Sequence, residues 1–105
     1  MQACFVYMTA GSVEEAREIG RALLEARLAS CINIIDSMQS LYWWEEQVRE
    51  DREVVFIAKT VSSLVPDLVE LVKSRHSYEC PCVVSLPITG GNQDFLDWII
   101  QQTQS

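Results

Sequence analysis

The stretch SLYWWEEQVRED at 40–51 determines how the rest of the chain must be arranged. It begins with four bulky residues in a row, a composition typical of strands, where aromatic side chains fit a pleated surface. Because successive side chains of a strand point to opposite faces, Tyr42 and Trp44 share one side. Leu41 and Trp43 share the other, so both faces of this strand need cover. One helix layer covers only one face of a small sheet, and the other cover is expected to come from a second copy of the chain.

Composition and charge exclude several classes of protein. The chain has 105 residues, 49% of them hydrophobic, with only four Gly and three Pro, which indicates one globular domain spanning residues 1–105. The net charge of −7 leaves no basic surface that would bind nucleic acid. No signal-peptide pattern is present, and no apolar run approaches the roughly 20 residues that span a bilayer. We therefore expect a cytoplasmic protein without a membrane partner.

The four cysteines, at positions 4, 31, 80 and 82, have none of the spacings of zinc ribbons or thioredoxin-like motifs. The cytosol keeps thiols reduced, so free thiols rather than disulfides are expected.

Hydrophobic periodicity and capping signals predict alternating strands and helices. Ser12 is expected to cap the first helix, Ser62 or Ser63 the second and Asn92 the last, with Pro66 tolerated in a first turn. The predicted elements are a strand at Cys4–Met8, a helix at about 13–27, a strand at Cys31–Ile35 that bends at Asp36–Ser37 and continues into the aromatic stretch, a charged break at Arg49–Arg52, a strand at Glu53–Thr60, the second helix, a strand at Cys82–Leu86 and the terminal helix.

This order of elements predicts an α+β protein with the ferredoxin-like split βαβ topology and an added C-terminal helix. Two helices would cover one face of an antiparallel sheet that contains a long central hairpin. The other face would stay in water, although Tyr42 or Trp44 and Val55 or Phe56 project from it. Burying one such side chain contributes roughly 1.5–3 kcal/mol, and an exposed patch of them marks an interface. Self-association is expected, with strand edges paired as well.

A set of segments occurs in the order and spacing of a known family: LASCINII at 28–35, SLYWWE at 40–45, EVVFIAKT at 53–60, SRHSYECP at 74–81, LPI at 86–88, GN at 91–92 and the late Trp98. Over nearly its whole length the chain resembles the CutA-type divalent-cation tolerance proteins. The resemblance implies a ferredoxin-like fold that assembles as a homotrimer, with long hairpins embracing neighbouring subunits. It also implies a role in tolerance of copper or other divalent metal ions.

His76 is the only histidine of the chain, and imidazole is a good ligand for copper or zinc. The resemblance implies a copper site here, because some bacterial members have two histidines at this point and a cysteine on the first strand. This chain departs from that pattern, with Arg75 in place of the first histidine and Met8 in place of the cysteine. Two roles stay open for His76, a metal ligand or a hydrogen-bonded loop residue.

Cys80 and Cys82 form a second candidate metal-binding feature. Thiols at i and i+2 of an extended chain lie on the same side and suit chelation of a soft metal ion. Together with His76 they would make a three-ligand site for copper or another divalent cation. In the alternative, which we favour on the residues alone, both are small buried apolar side chains, as expected for Cys4 and Cys31.

A third candidate site comes from the resemblance, which places Cys31, Trp44, Lys59, Tyr78 and Glu79 near an intersubunit cleft. Lys59 beside a carboxylate and a phenol could hold a small anion, or form a buried ion pair that orients the trimer. No nucleophile–base set and no phosphate loop is present, so neither an enzyme nor an organic cofactor is predicted.

The leading functional prediction is a cytoplasmic homotrimer that binds copper or related divalent ions weakly. Tyr42, Trp43 and Trp44 are its predicted interface residues. The alternative is a trimeric small-molecule sensor similar in architecture to PII proteins, with a small anion held in the cleft near Lys59 and Glu79.

Overall fold

The computed structural model describes residues 1–104, which form a four-stranded sheet and three α-helices. The strand order is β2-β3-β1-β4 and every neighbouring pair is antiparallel, which confirms the predicted ferredoxin-like fold. The elements are β1 (Ala3–Ala10), α1 (Val13–Glu25), β2 (Cys31–Trp44), β3 (Gln47–Val61), a 3-10 turn (Ser62–Leu64), α2 (Val65–Arg75), β4 (Val83–Pro87) and α3 (Gln93–Gln102).

The hydrophobic core lies between one face of the sheet and the first two helices. Val6, Phe56 and Ala58 are fully buried on this face. The apolar positions of α1 and α2 recur at helical spacing, so each helix presents one stripe to the sheet. The helical core residues are Ala16, Ile19, Leu23, Leu68 and Val72.

The opposite face of the sheet is only partly covered. At one end α3 packs against it, with Ile99 buried and Nζ of Lys59 lying 5.8 Å from the centre of the Phe95 ring. Farther along the same face, Ile35 and Val84 remain 55% and 50% exposed. An apolar surface is therefore left open beside the aromatic stretch.

The hairpin formed by β2 and β3 projects beyond the sheet as a two-stranded arm, residues 38–53. β1 pairs only with 54–61 of β3, so the arm has no further strand beside it. A two-residue turn at Glu45–Glu46 closes it, and Trp43 near the tip is 74% exposed.

The predicted charged break at Arg49–Arg52 is wrong, because this segment continues β3 without interruption. Its backbone is paired with Gln39–Tyr42 of β2, while water on both faces of the arm accommodates the charged side chains. The predicted bend at Asp36–Ser37 is confirmed. The pairing register shifts between Ile35 and Met38, and Ser37 has a positive φ of 69°.

The helix caps follow the sequence signals in two cases out of three. Ser12 and Asn92 cap the first and last helices as predicted, each accepting a hydrogen bond from a backbone N–H. The predicted cap of α2 by Ser62 or Ser63 is wrong, since both lie in the 3-10 turn and the helix starts without a side-chain cap. Pro66 in the first turn has no N–H, so one fewer donor needs a partner.

No helix within residues 1–104 is both long enough and apolar enough to cross a membrane.

Candidate functional site

A cavity of about 560 Å³ opens where the arm leaves the sheet. Its floor is the face of the sheet and arm that carries Tyr7, Met38 and Trp44. One wall is the connection between α2 and β4, residues 76–82, called here the thiol loop. Cys80 and Cys82 of this loop both line the cavity.

The two thiols differ in exposure. Cys80 is exposed and Cys82 is partly buried, and both are free. The expectation that both are buried apolar side chains is therefore wrong for Cys80, because the thiol loop runs along the cavity wall rather than into the core. Burial raises the pKa of the Cys82 thiol, and the nearby Glu53 carboxylate raises it further. A metal ion that binds Cys82 must therefore displace the proton of this thiol.

The imidazole of His76 is completely enclosed, with 0% of the side chain exposed. Nε2 lies 2.7 Å from the carbonyl oxygen of Thr9, and Nδ1 accepts a hydrogen bond of 3.1 Å from the backbone N–H of Tyr78. These contacts correspond to the second role considered for His76, a hydrogen-bonded loop residue.

The three predicted ligands do not form a cluster in one chain. Within residues 1–104, no group of three or more His, Cys, Asp or Glu side chains is arranged to hold a metal ion. Cys80 and Cys82 share the cavity, whereas both ring nitrogens of His76 already have protein partners. The donor set available on one chain is therefore the thiol pair.

Acidic groups dominate the charge of the cavity. Three carboxylates line it against one guanidinium: Asp51, Glu53 and Glu79 against Arg49. The Tyr78 hydroxyl donates a hydrogen bond of 2.8 Å to Glu53, and the Tyr42 hydroxyl donates to Asp51. Burial and the bond to Glu53 raise the pKa of Tyr78, and the bond to Asp51 raises that of Tyr42. Both phenols remain donors at neutral pH, and the cavity attracts cations rather than anions.

The five residues predicted to share an intersubunit cleft fall in two places. Trp44, Tyr78 and Glu79 line the cavity. Cys31 and Lys59 face each other across β2 and β3 at the far end of β2. The Lys59 ammonium donates to an asparagine side chain on β2 and does not meet Glu79 within the chain.

Sequence reasoning missed Tyr7, Met38 and Glu53 as cavity residues. The Tyr7 hydroxyl lies 3.3 Å from the Met38 sulfur, and Met38 pairs with Glu53 across the arm. The pairing register of β2 with β3 beyond the shift at Ile35–Met38 would have identified them. Deriving that register requires the turn at Glu45–Glu46, which carries no glycine or asparagine to mark it.

Together these features define a ferredoxin-like domain with a long arm and an acidic, thiol-lined cavity at its base. The model of the CutA1 divalent ion tolerance protein family matches residues 4–102. The chain belongs to this family.

Relatives in several organisms share the sequence and the fold. Protein CutA of Mus musculus is 44% identical over 94% of this chain, which spans 56% of the mouse protein. The divalent-cation tolerance protein CutA of Thermus thermophilus is 44% identical, with 93% of this chain and 95% of that protein covered. The structure of the periplasmic divalent cation tolerance protein CutA from Archaeoglobus fulgidus matches with a TM-score of 0.94 at 40% identity, covering 97% of this chain and 99% of that chain. These matches do not favour the PII-like alternative.

Proposed function

We propose that this protein is a cytoplasmic homotrimer that contributes to divalent-cation tolerance by binding copper or a similarly soft ion weakly through Cys80 and Cys82. The observation that carries the proposal is the presence of both free thiols on the wall of one cavity. Thiolates are soft ligands that select copper, zinc and their neighbours over magnesium or calcium. Membership of a divalent ion tolerance family supports a metal ion as the cargo. The proposed role is binding, without catalysis.

Charge and burial together support weak, pH-dependent binding. The net charge of −7 and the acidic cavity raise the local concentration of cations. Two ligands from one chain leave other coordination positions to water or to a neighbouring subunit. The raised pKa of Cys82 means that a bound ion must displace a proton, so affinity should rise as the pH increases.

The open apolar surfaces support self-association, and the number three rests on the resemblance to the family. Ile35 and Val84 lie on the part of the sheet face that α3 leaves uncovered, and Leu41 and Trp43 are 66% and 74% exposed on the arm. A patch of this kind marks an interface in a protein of this size. In the proposed trimer, the arm of one subunit covers the open face of the next. None of the four cysteines is paired in a disulfide, and this arrangement is compatible with the proposed cytoplasmic location.

An anaerobic titration with Cd²⁺ tests the metal-binding proposal. Cd²⁺ is soft, divalent and redox-inert, and its bonds to thiolates give a charge-transfer absorbance that reports on the ligands directly. We expect a saturable signal in the parent protein and none in Cys80→Ser/Cys82→Ser. The matched control is Cys31→Ser, which removes a partly buried thiol outside the cavity and should leave the signal unchanged. A full signal in the double variant would overturn the proposal.

A further inference from the structure

The tautomer of His76 follows from its two hydrogen bonds. The Thr9 carbonyl can only accept, so Nε2, at 2.7 Å, must carry the proton. Nδ1 then has the free lone pair that accepts from the Tyr78 N–H at 3.1 Å. Both nitrogens of a fully enclosed ring are thus used within the chain. A metal ion could bind His76 only if one of these bonds were broken.

Glu15 makes a second connection to the same loop. Its Oε2 accepts a hydrogen bond of 2.8 Å from the Ser77 N–H, and its Oε1 accepts one of 3.2 Å from the Gly11 N–H. Glu15 lies in the first turn of α1, so its carboxylate links this helix and the residue after β1 to the thiol loop. The side chain is only 17% exposed, which limits competition from water.

Tyr78 provides the third connection. Its hydroxyl donates to Glu53 at the base of the arm, and its ring centroid lies 4.6 Å from that of His76. Three consecutive residues, 76–78, are therefore fixed to β1, to α1 and to β3 respectively. Only Glu79 separates this fixed segment from Cys80, so the position of that thiol depends on it, while Cys82 lies between this segment and the start of β4.

We propose that His76 and Glu15 are positioning residues that fix the thiol loop in the conformation presenting Cys80 and Cys82 to the cavity, and that His76 binds no metal ion itself. This inference rests on the proposed metal-binding role of the two thiols. His76 donates to the end of β1 and orders Tyr78, while Glu15 holds Ser77. Ligands that are oriented by such hydrogen bonds bind tighter than mobile ones, because less ordering is needed on binding.

Two substitutions of His76 separate positioning from ligation. His76→Gln keeps an N–H where Nε2 stands and can still donate to Thr9, but an amide is a poor ligand for soft metal ions. His76→Phe keeps a ring of similar size and loses both hydrogen bonds. We expect the Phe variant to lose about 10-fold or more in Cd²⁺ affinity, and the Gln variant to lose less. Glu15→Gln should weaken binding in the same direction, and Arg75→Gln, next to His76 but exposed, is the matched control.

Thiol reactivity gives a readout that needs no metal. The rates of alkylation of Cys80 and Cys82 by iodoacetamide, followed by peptide mass spectrometry, should rise several-fold in His76→Phe, with Cys31 unchanged as the internal standard. The Gln variant should stay closer to the parent, which keeps the comparison informative if His76→Phe folds poorly. If the parent binds no Cd²⁺, the proposed function fails, yet altered thiol rates would still support positioning.

The inference is overturned by either of two results. Equal loss of Cd²⁺ binding in His76→Gln and His76→Phe, with thiol rates unchanged, would make His76 a ligand. Unchanged affinity and unchanged thiol rates in both variants would show that the hydrogen bonds do not position the loop.

Discussion

The interior of α1 depends on the absence of a side chain at Gly20. A Cβ atom there would lie 2.9 Å from Cγ2 of Ile32, a β-branched residue of β2. In an exposed helix, alanine is favoured over glycine by about 1 kcal/mol. Here the close approach of helix and sheet opposes that preference, because a stiff β-branched side chain cannot move aside easily.

We therefore expect Gly20→Ala to destabilise the protein by about 1–3 kcal/mol, the usual cost of overpacking. Thermal melting at one fixed protein concentration measures the change. In an Ile32→Ala background the contact is gone, so the same substitution should become neutral or stabilising. A higher melting temperature for Gly20→Ala in the parent would contradict this explanation.

Glu15 should give the stability a distinct pH dependence. Burial alone would raise the pKa of this carboxyl, but hydrogen bonds from Ser77 and Gly11 lower it below its ordinary value. A depressed folded pKa contributes stability that is present above the unfolded pKa and lost as the pH falls through the folded one. We expect the melting temperature of the parent to fall more steeply than that of Glu15→Gln below about pH 5.

The exposed neighbour Glu14 supplies the control for that experiment. Glu14→Gln should follow the parent curve. Parallel melting curves for the parent and Glu15→Gln would show that the carboxylate is not held by its loop partners.

At the scale of single residues, contacts between positions close together in the chain could be predicted from the sequence. Contacts between positions far apart in the chain could not. The caps at Ser12 and Asn92 involve partners within three residues, so the local sequence includes both partners of each hydrogen bond. The ring of His76 bonds to Thr9, 67 positions away. Its role depends on how α2, β1 and the thiol loop meet, which no local pattern specifies.

At the scale of the secondary-structure element, the arm ends in a turn that the usual sequence signals do not indicate. Glu45 and Glu46 form the two-residue turn with φ values of 51° and 66°, the signs of a type I′ turn. Asparagine and glycine favour that turn, so two glutamates gave no indication of it. The charged residues that suggested a break lie instead in a paired strand with water on both sides.

Replacing the turn residues should stabilise the arm. The left-handed conformation costs roughly 1–2 kcal/mol for an ordinary residue, so Glu45→Asn/Glu46→Gly should raise the melting temperature. The ion pair lost with Glu45 is exposed and 4.0 Å long, and pairs of this kind contribute little. Glu50→Asn, on a paired part of β3, is the matched control and should not give the gain. An unchanged melting temperature in the turn variant would mean that the arm does not limit stability.

At the scale of the whole molecule, the aromatic run at 41–44 correctly indicated a surface that one chain does not cover. The structure shows the arm standing free and one face of the sheet partly open. The apolar pattern does not indicate how many copies of the chain assemble, because an exposed apolar face shows only that some partner is needed. The number three comes from the resemblance to the family.

Assembly should depend on the tryptophans of the arm more than the subunit fold does. Burying one such ring at an interface contributes about 1.5–3 kcal/mol, so Trp43→Ala and Trp44→Ala should shift dissociation of the proposed trimer to higher protein concentration. Sedimentation velocity over a dilution series measures this, with circular dichroism to confirm the fold. Leu24→Ala is the control, since Leu24 on α1 is 38% exposed, close to the 37% of Trp44. A Trp44→Ala protein with the trimer stability of the parent would remove that residue from the interface.

The central claim, a trimer whose metal site is the Cys80–Cys82 pair, is tested most directly by native mass spectrometry with Cd²⁺ present. This measurement counts subunits and bound ions in the same particle. We expect a three-subunit species that carries Cd²⁺ in the parent protein. In Cys80→Ser/Cys82→Ser we expect the same three-subunit species without the ions. A species of another size in the parent, or a double variant that keeps its full load of Cd²⁺, would contradict the claim.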